Sequence, residues 1–252
     1  MKKSLIFVLL FLVLLIPSLT FGEVIKVGLE PFPPLIKEDN TGYLIDLFRA
    51  IEKKSDLKFE TQIMPFSRAV SLLEKKKVDI IAITPKGGMP PEFYKFSVDF
   101  DWGVPTANGI FTLDDKDIDL NALRKIKKLG TPRGNKEFFN EVFGIPKENF
   151  YEAAIPSLMR MLKKGRINAF FFERTATMLT IKELKLSGIH YQILPGEAVD
   201  ATMSIQNTTR GKELKEKIDK LIVKYKLDNL FNVYKEVDKL PRKGVVSLSP
   251  LM

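Results

Sequence analysis

The sequence predicts an α/β protein with mostly parallel sheets and a chain divided into two lobes. Three observations carry this. Short apolar strands alternate with amphipathic helices from Val24 onward, the pattern of parallel sheets with helical crossovers. A helix end, a basic turn and a buried strand at residues 73–82 (LEKKKVDIIA) recur at residues 162–171 (LKKGRINAFF), 89 positions later. That offset is too long for a solenoid and fits two similar lobes. Extended stretches near residues 106–113 and 202–206 are placed to cross between them.

Taken in order, residues 1–22 (MKKSLIFVLLFLVLLIPSLTFG) have two lysines, an unbroken apolar run from Leu5 to Ile16, and a small-x-small end at Thr20-Phe21-Gly22. This is the pattern of a cleaved secretory signal peptide. The apolar run is shorter than the ~20 residues of a membrane span. No lipobox cysteine is present, so the expected product is not a lipoprotein. It starts near Glu23 and is periplasmic or otherwise secreted. The 252 residues carry 40 Lys plus Arg against 31 Asp plus Glu, a net charge of +9. Losing Lys2 and Lys3 leaves +7. An exported protein meets little nucleic acid, so that partner is not expected despite the charge. Cysteine is absent and His190 is the single histidine. That removes disulfides, cysteine metal sites and cysteine nucleophiles, and no metal or cofactor is expected.

Residues 24–29 (VIKVGL) read as a strand stopped by Glu30-Pro31-Phe32-Pro33-Pro34. Leu44, Leu47, Phe48 and Ile51 recur at helical spacing. Residues 58–63 alternate as a strand, 69–75 are helical, and 78–83 (VDIIAI) are a buried strand. Strand candidates of the second lobe are 126–131, 150–153, 167–172 and 189–194. Pro195-Gly196-Glu197 breaks that run before 202–206 extends again. Helices follow at 212–225 and 227–237, and residues 243–252 read as a loose tail. The lobe boundaries predicted are 23–107 plus 201–242 for lobe one and 108–200 for lobe two.

Open parallel sheets bind ligands beyond the carboxyl ends of their strands. The residues there are Glu30 and Phe32, then Phe66 and Arg68, then Thr84, then Arg133 and Asn135, then Glu173. Gly134-Asn135 at a helix start can offer backbone N–H groups to an anion. Arg68 or Arg133 can hold a carboxylate with two hydrogen bonds. Glu30 or Glu173 can hold an ammonium, and Phe32 and Phe66 can clamp an apolar or cationic body. Each residue also has a plainer reading, as a helix cap or a solvated charge. Glu173 is expected to be hydrated in an open cleft, so that Glu173→Gln weakens binding but hardly moves the melting temperature.

These same strand ends carry a resemblance to the family 3 extracellular solute-binding proteins, the amino-acid type periplasmic receptors of ABC importers. Glu30-x-Phe32-Pro33-Pro34-Leu35 resembles the family's acidic-x-aromatic-Pro-Pro-Phe opening, and Gly42-Tyr43-Leu44-Ile45-Asp46-Leu47 its Gly-Phe-Asp-Val-Asp-Leu helix entry. Pro65-Phe66-Ser67-Arg68 resembles Pro-Trp-x-Arg, Val98-Asp99-Phe100 matches Val-Asp-Phe, and Gly134-Asn135 stands where Gly-Thr opens a helix. Asn168 to Glu173 resembles Asp-Ala-Val-Val-Val-Asp. The resemblance spans about residues 24–237. It implies a type II periplasmic binding protein fold, with a hinge and an interlobe cleft, and a monomer that captures a small polar ligand for an ABC permease. It also implies a carboxylate-gripping arginine just before Val98, where Tyr94 stands instead. Two other functions compete. An exported dehydratase-like enzyme would use a carboxylate pair such as Glu30 and Glu173. A sensing module would signal through a separate partner. The expectation is a receptor without catalysis, whose ligand carries an amine or amino-acid-like group.

Overall fold

The computed structural model describes residues 23–249, apart from the side chains of residues 195–198. The signal peptide expected over 1–22 lies outside them. The first lobe is built on two successive strand–helix–strand crossovers. β1 (Glu23–Leu29) leads through α1 (Tyr43–Glu52) to β2 (Leu57–Ile63), and β2 through α2 (Phe66–Glu74) to β3 (Ile80–Pro85). β1 lies between β2 and β3, parallel to both. α1 buries Leu44, Ile45, Leu47, Phe48 and Ile51 on one face; each such side chain contributes roughly 1.5–3 kcal/mol. β2 alternates, as an edge strand with one wet face does, and β3 is buried at every position but its last.

The second lobe repeats the scheme. After the short α3 (Phe93–Phe96) and β4 (Ser97–Asp99), β5 (Val104–Thr112) leaves the first lobe. Then follow α4 (Leu120–Leu123), β6 (Leu129–Pro132), α5 (Lys136–Phe143), β7 (Phe150–Ala153), α6 (Ile155–Lys163), β8 (Ala169–Glu173) and α7 (Arg174–Glu183). β6 lies between β7 and β8, parallel to both. Phe139, Phe143, Phe170 and Phe171 fill this lobe's core. β9 (His190–Gln206) returns to the first lobe, which α8 (Thr209–Lys224) and α9 (Asn232–Asp238) complete.

Hydrogen bonding follows the order β2-β1-β3-β9-β5-β8-β6-β7. Every antiparallel pair involves β5 or β9. These two strands therefore join two parallel groups, and the two-lobed α/β class read from the sequence is the one found.

Three details differ from the sequence reading. α7 gave no amphipathic signal because residues all around it are buried, among them Arg174, Thr175, Met178 and Ile181. The break at 195–197 is a bulge within a single strand. Ala107 pairs with Ala198 and Gly109 with Ile193, so four residues of β9 face one of β5. The tail is not loose where it is described. β10 (Lys243–Val245) pairs with His190–Gln192, Val246 is buried, and Lys182 donates to the Ser249 carbonyl. An unpaired stretch of β9's edge gives those residues a partner that periodicity could not reveal.

Candidate functional site

The carboxyl ends of β1, β2, β6 and β8 meet between the lobes. Glu30 follows β1 and is buried, its backbone N–H bonded to the Ala82 carbonyl within the neighbouring β3. Its side chain accepts a hydrogen bond from Asn135 Nδ2, at the start of α5 in the other lobe. Phe32 packs against Phe172 of β8 with ring centroids 5.2 Å apart, and Phe66 of α2 against Phe138 of α5 at 5.7 Å. Gly134 reaches across too. Its φ is +88°, and a Cβ there would stand 3.0 Å from Pro65 Cβ and Ser67 Oγ. Only glycine permits this approach.

Glu173 ends β8 and caps α7. Its carboxylate accepts from the N–H groups of Thr175 (2.8 Å) and Ala176 (2.6 Å). Burial pushes its pKa up to about 7, against those two bonds and the Arg174 charge, which lower it. Glu173 is therefore not the hydrated residue expected of an open cleft. Burial pushes Glu30 further, to about 8; the Asn135 hydrogen bond lowers it and the Glu152 charge raises it.

Of the groups expected to hold an anion, only Arg133 stands free at the cleft. Glu152 of β7 accepts from the backbone N–H of Gly134 (2.7 Å) and Lys136 (3.4 Å), so the start of α5 already holds a carboxylate. Arg68 is exposed on the outside of α2 and lines no described cavity. Thr84 is fully buried, and its hydroxyl bonds Ser204 Oγ (2.6 Å) and the Thr202 carbonyl across the sheet. It serves the sheet and does not line the cavity. Tyr94 donates to Asp99 Oδ2 (3.1 Å) and accepts from the Met89 N–H (3.3 Å). Arg133 is exposed at the cleft rim.

Two cavities meet at Glu30. The inner one measures about 70 Å³ and is lined by Glu30, Phe32, Phe66, Asn135, Phe172 and Glu173, among others. Five of the eight sequence candidates meet there. The outer one measures about 600 Å³ and includes Arg133.

The sequence profile of bacterial extracellular solute-binding proteins, family 3, matches residues 25–236. The chain belongs to that family. No curated protein sequence matches it. Among solved structures, the substrate-binding protein of an amino acid ABC transporter is 22% identical, with a TM-score of 0.64 over 84% of this chain and 98% of that one. An amino acid ABC transporter substrate-binding protein from Streptococcus pneumoniae, bound to L-arginine, is 20% identical, with a TM-score of 0.63 over 84% and 94%. A histidine kinase sensor domain is 17% identical, with a TM-score of 0.66 over 90% and 99%. At these identities the likeness establishes the fold. Among the described residues, no helix is long and apolar enough to cross a membrane.

Against this family 3 frame, sequence reasoning missed Phe138, Phe172 and Glu152. Phe138 lies three residues beyond Asn135, on the same helical face, so it was open to detection. Phe172 lies next to Glu173, but it packs with Phe32 only because the lobes meet. Nothing in the spacing of Glu152 indicated that it would occupy the start of α5.

Proposed function

We propose that this chain is an exported receptor that captures a small amine-bearing ligand between its lobes and delivers it to the permease of an ABC importer. One observation carries the reading. Two buried carboxylates, Glu30 from one lobe and Glu173 from the other, line a single aromatic-walled cavity. Of the anion-holding elements nearby, the start of α5 is filled by Glu152 and Arg68 points elsewhere, which leaves Arg133, exposed at the rim. Such a cavity favours a ligand that donates hydrogen bonds and carries positive charge.

The lobes are residues 23–107 with 201–242, and residues 108–200. β5 and β9 act as the hinge, and the closed state is the one a ligand touching both lobes selects. Glu30, Phe32, Phe66, Asn135 and Glu173 contact the ligand in this reading, with Arg133 at the rim. The secreted protein is a monomer beginning near Glu23, and its role is capture without catalysis. Sensing through a separate membrane partner is the second reading; the fold likeness to a kinase sensor domain supports it.

Native mass spectrometry of protein purified without denaturation should find a carried-over ligand with a basic nitrogen. An acidic ligand would overturn the amine assignment. Co-purification from membranes with a permease supports transport, and co-purification with a kinase supports sensing. N-terminal sequencing of the secreted form checks the start at Glu23, and a retained Met1 would refute it.

A further inference from the structure

The outer cavity is large enough for a whole small ligand, at about 600 Å³ against about 70 Å³ for the inner one. Its lining has a one-sided chemistry. Pro31, Pro33, Pro65, Pro132 and Pro156 all face it, and proline has no N–H to donate. Ile63, Met64 and Ile155 add apolar surface. Four carboxylates line it, from Glu30, Glu38, Asp39 and Glu183, against two basic groups, Lys37 and Arg133. Both basic side chains are exposed, as are Glu38, Asp39 and Glu183, and of these charged groups Glu30 alone is buried. Among the described residues Glu38 and Glu183 make no ion pair. The wall thus accepts hydrogen bonds and offers few, from one buried end at Glu30 to a rim of carboxylates.

On the receptor reading above, we propose that the ligand is a linear diamine or polyamine whose chain lies in this outer cavity, with one ammonium at Glu30, where it enters the inner cavity beside Glu173, and another at the Glu38–Glu183 rim. An ammonium has three donors and no acceptor, so an acceptor-rich wall leaves none of its polar atoms unmet. The methylene chain lies along the prolines, where it loses no hydrogen bond to water. A free α-amino acid fits less well. Its carboxylate would find the start of α5 filled by Glu152, and would have to turn back to the exposed rim.

Proton release follows from binding. The groups around Glu30 are Asn135, whose amide donates to it, and Glu152, whose charge opposes its ionisation. Glu173 shares the inner cavity, and Lys37 and Arg133 stand outside. With the lobes in contact as they are here, Glu30 keeps its proton near neutral pH. An arriving ammonium favours the carboxylate, and the proton passes to solvent.

Calorimetric titration of the mature chain tests this with 1,5-diaminopentane, spermidine, pentylamine, L-arginine and L-alanine. The diamine and spermidine should bind at least tenfold more tightly than pentylamine. Glu38→Gln combined with Glu183→Gln should erase that advantage and leave pentylamine unchanged. Ala154→Trp, which plugs the cavity from β7's end, should weaken every amine by tenfold or more. Thermal melts verify that the variants fold; Glu38 and Glu183 are exposed, and Ala154 is half-buried at the cavity wall. At pH 7 the binding enthalpy should vary with the ionisation enthalpy of the buffer. Tighter binding of arginine or alanine would overturn the polyamine assignment and leave the receptor reading standing. Equal affinity for mono- and diamines, or indifference to the rim and plug variants, would also overturn it. If neither these probes nor any carried-over ligand binds, both readings fail together.

Discussion

Glu30 and Glu173 are two glutamates at the ends of parallel strands, one in each lobe, both buried and both with pKa values raised by burial. They are held in different ways. Glu173 is bonded by the backbone of its own helix, so its contacts survive whether the cleft is open or shut. Glu30 is bonded by a side chain from the opposite lobe, so its contact exists only when the lobes meet. The same residue type at two strand ends therefore belongs to architecture in one case and to closure in the other.

The comparison can be broken most forcefully through pH. Glu30 has a native pKa of about 8 against an ordinary 4.5. The native chain holds this proton where the unfolded chain has lost it. Its contribution to stability is full below pH 4.5 and is lost as pH rises to about 8, by as much as about 5 kcal/mol. Glu173 adds a smaller loss of the same sign that ends near pH 7. Glu30→Gln should be more stable than wild type at pH 8 and close to it at pH 4.5 in urea melts. If the variant keeps the full wild-type slope, Glu30 is not the buried acid described. Next in size, Glu173→Ala removes both capping bonds and should cost about 2 kcal/mol. That loss should be the same with and without ligand saturation, once the ligand's own mass-action term is subtracted.

Gly134→Ala sharpens the closure side. The added Cβ meets Pro65 and Ser67 at 3.0 Å, at a φ of +88°, and should cost more than about 1 kcal/mol. Small-angle scattering should show a larger radius of gyration than wild type under conditions where wild type is closed. An unchanged radius would mean the lobes meet without this contact. The smallest effect is expected at Arg68, which is exposed and lines no described cavity. Arg68→Ala should stay within about 0.5 kcal/mol in stability and leave ligand affinity unaltered in the same titration.

Legibility in the sequence followed the range of the interactions. The strands and most helices of each lobe were readable from helical and strand periods, and the rule of strand carboxyl ends brought Glu30, Phe32, Phe66, Asn135 and Glu173 to one cavity. Facing was not readable. Thr84 turns its hydroxyl into the sheet because β9, more than a hundred residues later, supplies Ser204 as its partner. Arg68 points away because α2 is set down by Phe66, Ala69 and Leu73 on its buried face. Glu152 took the anion position at α5, an outcome set by the register of β6 against β7. The tail found β9's edge in the same unannounced way. Thr84 and the tail depend on contacts between elements far apart in the chain, and Glu152 on the pairing of two consecutive strands; single-element periodicity contains no information about either.

The crossing strands also set a schedule for the growing polypeptide. β3 pairs with β1 on one side, but its other edge waits for residues 201–206 of β9, where Ile80 meets Ile205. At ~5–20 residues per second of synthesis, that edge stands bare for on the order of ten seconds. Its first four residues, IIAI, are apolar throughout and are a template for wrong pairing while exposed. Nascent chains halted before residue 201 should therefore aggregate or be held by chaperones, whereas full-length chains should not. Limited proteolysis of stalled chains would show the difference directly, as cleavage within β3 that disappears once its last neighbour has been made.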